Sequence, residues 1–233
     1  MPKVDRVVVT EHILEVRHAA VGSFLDVRGF VADYVRESGF LPHWKIDSNV
    51  VAFRDKPKKP FGETAFAGYK SFGYTSQNPP TKNFFQDRAG VFVRLILKNQ
   101  HYNIPELTRF GCRAKAFLPC DLDFATLNKR IHDSFFSTDF QKSVANKPTD
   151  ILVVSEFDHS AFSGRISFGP MHKDEVSNQF EFQSEYFSSV GLFLDIDYFL
   201  TESVVASSLQ KHLKESMTHI WGKIDGISKI LGV

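Results

Sequence analysis

The stretch that most constrains the fold is ELTRFGCRAKAFLP, residues 106–119, in which apolar and cationic side chains alternate. In a β-strand, successive side chains point to opposite faces of the sheet. Arg109, Arg113 and Lys115 would therefore share one face, and the apolar residues between them would pack on the other. The alternation predicts a strand at this place. Gly111, on the cationic face, would leave room for a ligand or another backbone.

A second stretch, GVFVRLILK at residues 90–98, predicts a strand that pairs with 107–117 as an antiparallel hairpin. Aligned basic faces would then place five cations on one sheet surface, namely Arg94, Lys98, Arg109, Arg113 and Lys115. The basic, proline-rich loop at 55–63 is expected to be exposed, and it adds Lys56, Lys58 and Lys59 to the candidate anion-binding or nucleic-acid-binding residues. The alternative for this loop is a plain connection.

A face with so many cations repels itself unless negative charge lies on it. Asp195 and Asp197, in GLFLDIDYFL, share one strand face. They could pair with Arg109 and Arg113, because arginine–carboxylate pairs are often bidentate. The alternative is an external anion such as phosphate, nucleic acid or an acidic partner.

The distribution of charge favours the internal pairing. Residues 1–118 contain 18 Lys and Arg against 11 Asp and Glu, whereas residues 119–233 contain 10 against 16. Halves of opposite sign can neutralise each other across a shared interface. The alternative is a positive surface that attracts anions.

The remaining patterns predict an α+β fold of antiparallel sheets with a few helices. Strands are expected within 4–19, 64–75, 151–158, 163–170 and 179–198, and helices at 23–37, 124–136 and 207–231. Residues 44–54 are expected to form a short hairpin with its turn at Ser48-Asn49. We interpret the chain as two related sheet-plus-helix halves, a basic one at 1–140 and an acidic one at 150–233, with one continuous domain as the alternative. The long C-terminal helix carries an apolar stripe that suits either a core or a partner interface.

The sequence offers little to catalysis. Asp158, His159 and Ser160 are neighbours along the chain, and such neighbours rarely form a triad. The Asp-x-Asp pair at 195–197 has no third metal ligand at a diagnostic spacing, and Cys112 is expected to be a buried, inert thiol. We predict no catalytic residue, no metal and no cofactor, and we favour a protein that is not an enzyme.

Composition places the chain among ordinary globular proteins, with 42% hydrophobic and 24% charged residues. No apolar run is long enough to span a membrane, and the first residues lack a signal-peptide pattern, so we expect a cytoplasmic protein. Phenylalanine is unusually frequent, at 24 residues. A large aromatic core is the favoured explanation, and stacking on nucleobases is the alternative.

Three motifs in this order resemble a sporadically distributed, uncharacterised bacterial protein family: ILEVRH, LTRFGCRAKAF, and LFLDIDYF followed by a terminal helix. Its typical Leu-x-Arg-x-Gly-x-Arg strand, Asp-x-Asp strand and His-bearing helix are matched by Leu107, Arg109, Gly111, Arg113, Asp195, Asp197 and His212. After the second arginine the family commonly has an aromatic residue and an asparagine, where this chain has Ala114, Lys115 and Ala116. The resemblance implies no activity, and the family's patchy distribution is associated with mobile or defence genes.

The leading hypothesis is a non-enzymatic binding or assembly protein in a larger bacterial complex. We expect a protein partner, or self-association through the C-terminal helix, and no membrane. One alternative is a nucleic-acid-binding protein that uses the basic sheet face. The other is a metal-dependent enzyme that uses Asp195 and Asp197.

Overall fold

A computed structural model describes residues 7–144, 148–202 and 204–233. Within these ranges nine strands form one antiparallel sheet, in the order β2-β3-β4-β5-β1-β6-β9-β8-β7. The strands are β1 (Val9–His18), β2 (His43–Ile46), β3 (Val50–Arg54), β4 (Glu63–Gly68), β5 (Ser71–Gln77), β6 (Leu107–Pro119), β7 (Val153–His159), β8 (Phe162–His172) and β9 (Val190–Leu200). The helices are α1 (Phe24–Glu37), α2 (Phe84–Lys98), α3 (Phe124–Phe135), α4 (Thr138–Val144), α5 (Lys173–Ser177) and α6 (Leu209–Leu231).

The α+β prediction is confirmed, including the long C-terminal helix. The order of elements divides the chain at a different place from the predicted halves, into a first half from β1 to α2 and a second half from β6 to α6. Each contains a central strand, a helix, strands that return to the central strand, and a final helix, and the second half also contains α4 and α5. In the first half β5 returns to β1, and in the second half β9 returns to β6. The halves meet where β1 pairs with β6. The division into two domains stays a prediction.

One face of the sheet is packed against helices α1, α2, α3 and α6, which together form a helical layer. Aromatic side chains such as Phe72, Phe92 and Phe110 are completely buried there, as an aromatic core requires. Helix α6 begins at Leu209 and places its apolar stripe in the same core, where Met217 and Ile220 are buried. The stripe therefore packs within the chain itself.

The strand predicted at 90–98 is wrong, because this segment belongs to helix α2. The valines and leucines of 91–97 alternate as in a strand, and this local pattern misled the prediction. The buried positions instead follow helical spacing, and they begin before residue 90: Phe85, Ala89, Phe92, Val93 and Ile96. The neighbours of β6 are β1 and β9, so the predicted hairpin does not form.

The strand predicted at 179–198 begins only at Val190. Before it, α5 and residues 178–189 form a cover over one end of the other sheet face, the one opposite the helical layer. Phe180 and Phe187 of this cover pack with Val9, Phe117 and other residues in a small separate core. The apolar side chains that suggested a strand are therefore buried by a different arrangement.

Two other predicted segments are divided differently. The segment at 64–75 contains two strands, β4 and β5, joined by a turn at 69–70. The polar linker predicted around 137–149 contains α4, and its residues 145–147 lie outside the described part.

No helix in the described ranges combines the length and apolar character that a membrane crossing requires.

Candidate binding site on the open sheet face

The sheet face opposite the helical layer is the candidate site, and we call it the open face. Strand pairing aligns its side chains in rows that cross from β5 to β8. One row contains Gln77, Glu11, Lys115, Asp195 and Ser167. The next contains Thr75, Ile13, Arg113, Asp197 and Arg165. The predicted common face of Arg109, Arg113 and Lys115 on β6 is confirmed by this register.

Arg113 and Asp195 form a bidentate ion pair on the open face. Arg113 Nε donates to Asp195 Oδ1 at 2.7 Å, and Nη2 donates to Oδ2 at 2.5 Å. The hydrogen bond to Asp195 raises the pKa of Arg113. The two residues are diagonal neighbours, because Arg113 lies directly opposite Asp197. Arg113, one of the cations predicted to bind an external anion, is therefore engaged by Asp195.

Arg109 lies between two carboxylates. Its Nη2 is 3.4 Å from Asp197 Oδ2, and its Nη1 is 3.7 Å from Glu15 Oε2. Burial raises the pKa of Asp197, and the charges of Arg109 and Arg113 act in the opposite direction. Gly111 of β6 lies beneath the Arg109 side chain. The space over this glycine is filled, because a Cβ there would lie 3.0 Å from Arg109 Nη1. The room predicted for a ligand is thus occupied by Arg109 itself.

Lys115 bonds to a residue that the sequence did not single out, Glu11 of β1. Lys115 Nζ lies 2.9 Å from Glu11 Oε2 and also donates to the backbone oxygen of Gln179 at 2.6 Å. Glu11 is only 1% exposed, and its Oε1 has no hydrogen-bond partner among the described residues. A buried carboxylate oxygen without a partner is costly, and such groups in proteins usually mark a functional or hydrated site. The signal in the sequence was the alternation of Glu11 and Glu15 on one strand face.

Two cavities flank these ion pairs. The first, of about 420 Å³, lies over β3, β4, β5 and β1 and is lined by Glu11, Ile13, Ala52, Phe53, Arg54, Lys59, Phe61, Thr64, Ala65, Phe66, Thr75, Gln77, Lys115 and Glu181. We call it the Glu11 cavity. The second, of about 470 Å³, lies over β7, β8 and β9 and is lined by Glu156, Phe157, Asp158, Ser163, Gly164, Arg165, Asp197 and Phe199. Both cavities open on the same sheet face.

The other predicted cations are dispersed. Lys56 and Lys58 are exposed in the loop between β3 and β4, and Lys59 of the same loop lines the Glu11 cavity. Arg94 and Lys98 belong to α2 in the helical layer, on the other side of the sheet. The predicted surface of five cations therefore does not form. His212 also lies in the helical layer, where its ring packs against Phe110 and Phe162.

The remaining candidates for chemistry occupy structural positions. Burial raises the pKa of the Cys112 thiol to about 12, as expected of an inert core cysteine. Asp123 caps α3 by accepting a hydrogen bond from Thr126 N at 2.7 Å. Asp158 accepts a hydrogen bond from Ser163, whereas the His159 ring contacts His219 with centroids 3.9 Å apart and ring planes tilted by 40°. Across the described ranges, no three His, Cys, Asp or Glu side chains are grouped as a metal site.

Comparison of the sequence with protein-family models and with curated proteins gives no match. The function is therefore inferred from the geometry of the open face.

Proposed function

We propose that this protein is a non-enzymatic binding protein, an assembly component that recognises a protein partner through the open face of its sheet. The observation that carries the proposal is the ordered layer of alternating charges on that face. Arg109, Arg113 and Lys115 are held in fixed positions by Glu15, Asp197, Asp195 and Glu11. A surface with both charges in fixed geometry suits a partner of complementary pattern, since such patterns give specificity and register.

The ion pairs also weigh against the nucleic-acid alternative. Binding to a phosphate backbone depends on cations that are free to neutralise phosphates. On the open face the three β6 cations already contact carboxylates, and Arg94 and Lys98 lie behind the sheet. The face is mixed in charge and lacks the positive excess that nucleic acid favours.

Arg165 offers the sharpest test of the partner surface. It is exposed on the open face, and no ion pair involves it among the described residues. We expect the tagged protein to retain a stoichiometric protein partner from a nuclease-treated lysate of the native host. Arg165→Glu should lower that capture at least roughly tenfold, because a like charge would face the partner's acidic group.

Lys214→Glu is the matched control, since Lys214 is an exposed cation on α6 in the helical layer. It should leave capture unchanged. Equal capture by both variants would place the partner elsewhere and overturn the proposal. Retention of nucleic acid alone from an untreated lysate, removed by salt, would overturn it in favour of the nucleic-acid alternative.

A further inference from the structure

We infer that the Glu11 cavity binds a short zwitterionic peptide. The ligand's ammonium group would face Glu11 and Glu181, and its carboxylate would face Arg54 and Lys59. The inference rests on the proposed binding role of the open face and adds a ligand class to it.

The acidic end of the cavity is built around Glu11. Lys115 donates a hydrogen bond to Oε2 of this carboxylate. Oε1 has no partner in the part of the chain that the structure describes, although the residue is only 1% exposed. An anionic oxygen in that state calls for a hydrogen-bond donor, and a cationic donor forms the stronger bond. Glu181 lines the same cavity, two residues after the Gln179 carbonyl that accepts from Lys115. With Lys115 included, this end has one net negative charge.

The basic end lies several strands away. Arg54 ends β3 and its guanidinium lies over the Phe61 ring, 4.8 Å from the centroid. Lys59, in the following loop, lines the same end of the cavity. Arg54 and Lys59 together suit a carboxylate of the ligand. The opposite ends of the cavity thus match the opposite ends of a zwitterion.

The middle of the cavity is largely uncharged. Phe66 of β4 lies over Gly73 of β5, where a Cβ would come within 2.6 Å of its ring. Ile13, Thr75 and the Phe66 ring therefore form a wall of mixed apolar and hydroxyl character between the two charged ends. The two charged ends lie three strand spacings apart, about 14 Å, which a free amino acid cannot span. The volume of about 420 Å³ lies within the range of small-molecule sites and suits a short peptide.

The test uses the full-length purified protein with two probe sets, the twenty free L-amino acids and a pool of unblocked dipeptides and tripeptides. Thermal stabilisation by at least one peptide is expected, with the free amino acids as the contrasting set, followed by calorimetric titration of the strongest peptide. N-acetylation of that probe and amidation of its carboxyl group should each weaken binding roughly tenfold or more, because each removes one charged contact. Binding by free amino acids and by no peptide would overturn the inference, because such ligands cannot reach both charged ends of the cavity.

Two loop variants make the test independent of folding. Lys59→Met should weaken binding of the strongest probe roughly tenfold, whereas Lys58→Met, an exposed neighbour that does not line the cavity, should leave it unchanged. Glu11→Gln should weaken binding as well. No stabilisation by any probe, or equal affinity of the blocked probes, would overturn the inference. Partner capture by Lys59→Met, measured in parallel, separates failure of this site from failure of the proposed function.

Discussion

At the scale of single residues, the most unusual group is His12, which lies on β1 beside Glu11 and faces the helical layer. Its side chain is completely buried between Phe85 and Trp221, with ring centroids at 5.1 and 5.6 Å. Within the described ranges neither ring nitrogen has a hydrogen-bond partner, and the same is true of Oγ of Ser76, which lies opposite His12 on β5. Burial lowers the pKa of His12 from 6.5 to about 3. The folded protein therefore holds this histidine neutral.

His12 should make stability depend on pH. Below about pH 6.5 the unfolded chain binds a proton at this position, whereas the folded chain does not until about pH 3. The free energy of unfolding should fall as the pH drops through this window, by about 2 kcal/mol at pH 5 from this residue alone. We expect His12→Leu to remove that part of the loss, as measured by urea unfolding at pH 7.5 and pH 5.

The control for this prediction is His101→Leu, because His101 is exposed and stacks on Phe30. It should keep the pH dependence of the unmodified protein. If His12→Leu and His101→Leu lost stability in parallel between the two pH values, the buried neutral state of His12 would be wrong.

At the scale of elements, helix α2 is where local pattern and structure disagree most, and Gly90 tests the assignment. A Cβ at this position would meet only Arg94 Nη1, at 3.8 Å. Alanine in a helix restricts the unfolded chain without a steric cost, so Gly90→Ala should stabilise the protein by about 0.5–1 kcal/mol in urea unfolding. In a strand, replacing glycine by alanine can instead destabilise the protein. Gly73 is an example, because a Cβ there would lie 2.4 Å from Leu14 O.

Gly39→Ala is the contrasting variant for the α2 prediction. Gly39 ends the turn after α1 with a φ of +73°, which is strained for residues with a Cβ. It should destabilise by about 1–2 kcal/mol. A loss of stability in both variants would argue against a helix at Gly90.

Elements with a strong periodic pattern could be predicted from the sequence, whereas the elements that pack beside them in the fold could not. The alternation in 107–117 fixed the two faces of β6, and the helical stripe of 209–231 identified α6. The 90–98 segment fits both the two-residue period of a strand and the 3.6-residue period of a helix over its short length. The buried positions from Phe85 onward decide for a helix. Which strands pair is decided by contacts between residues that are distant in the sequence. The pairing of β1 with β6 could therefore not be predicted from the sequence.

The candidate site divides in the same way. Asp195, Asp197, Arg109 and Arg113 could be placed on common faces because strand alternation is local. Glu11 and Arg54 were missed, since their part in the site depends on which strands lie between them in the sheet.

At the scale of the whole molecule, the opposite charges of the two halves meet inside one sheet. The cations of β6 belong to the basic part of the sequence, and Asp195 and Asp197 belong to the acidic part. Their ion pairs cross the β6–β9 boundary, and the Lys115–Glu11 pair crosses from β6 to β1. Strand β6 therefore links both halves through backbone pairing on each side and through charge on the open face.

Because β6 is shared in this way, the two halves should unfold together. A cavity made in either half would then lower the urea midpoint of one common unfolding transition. Independent domains would instead show two transitions, each with its own midpoint. Val51 on β3 and Ile196 on β9 are both completely buried. Val51→Ala and Ile196→Ala should each cost about 2–4 kcal/mol and shift the same single transition, followed by far-UV and near-UV circular dichroism in urea. Two transitions, each moved by only one of the variants, would show instead that the halves are separate domains held together by β6.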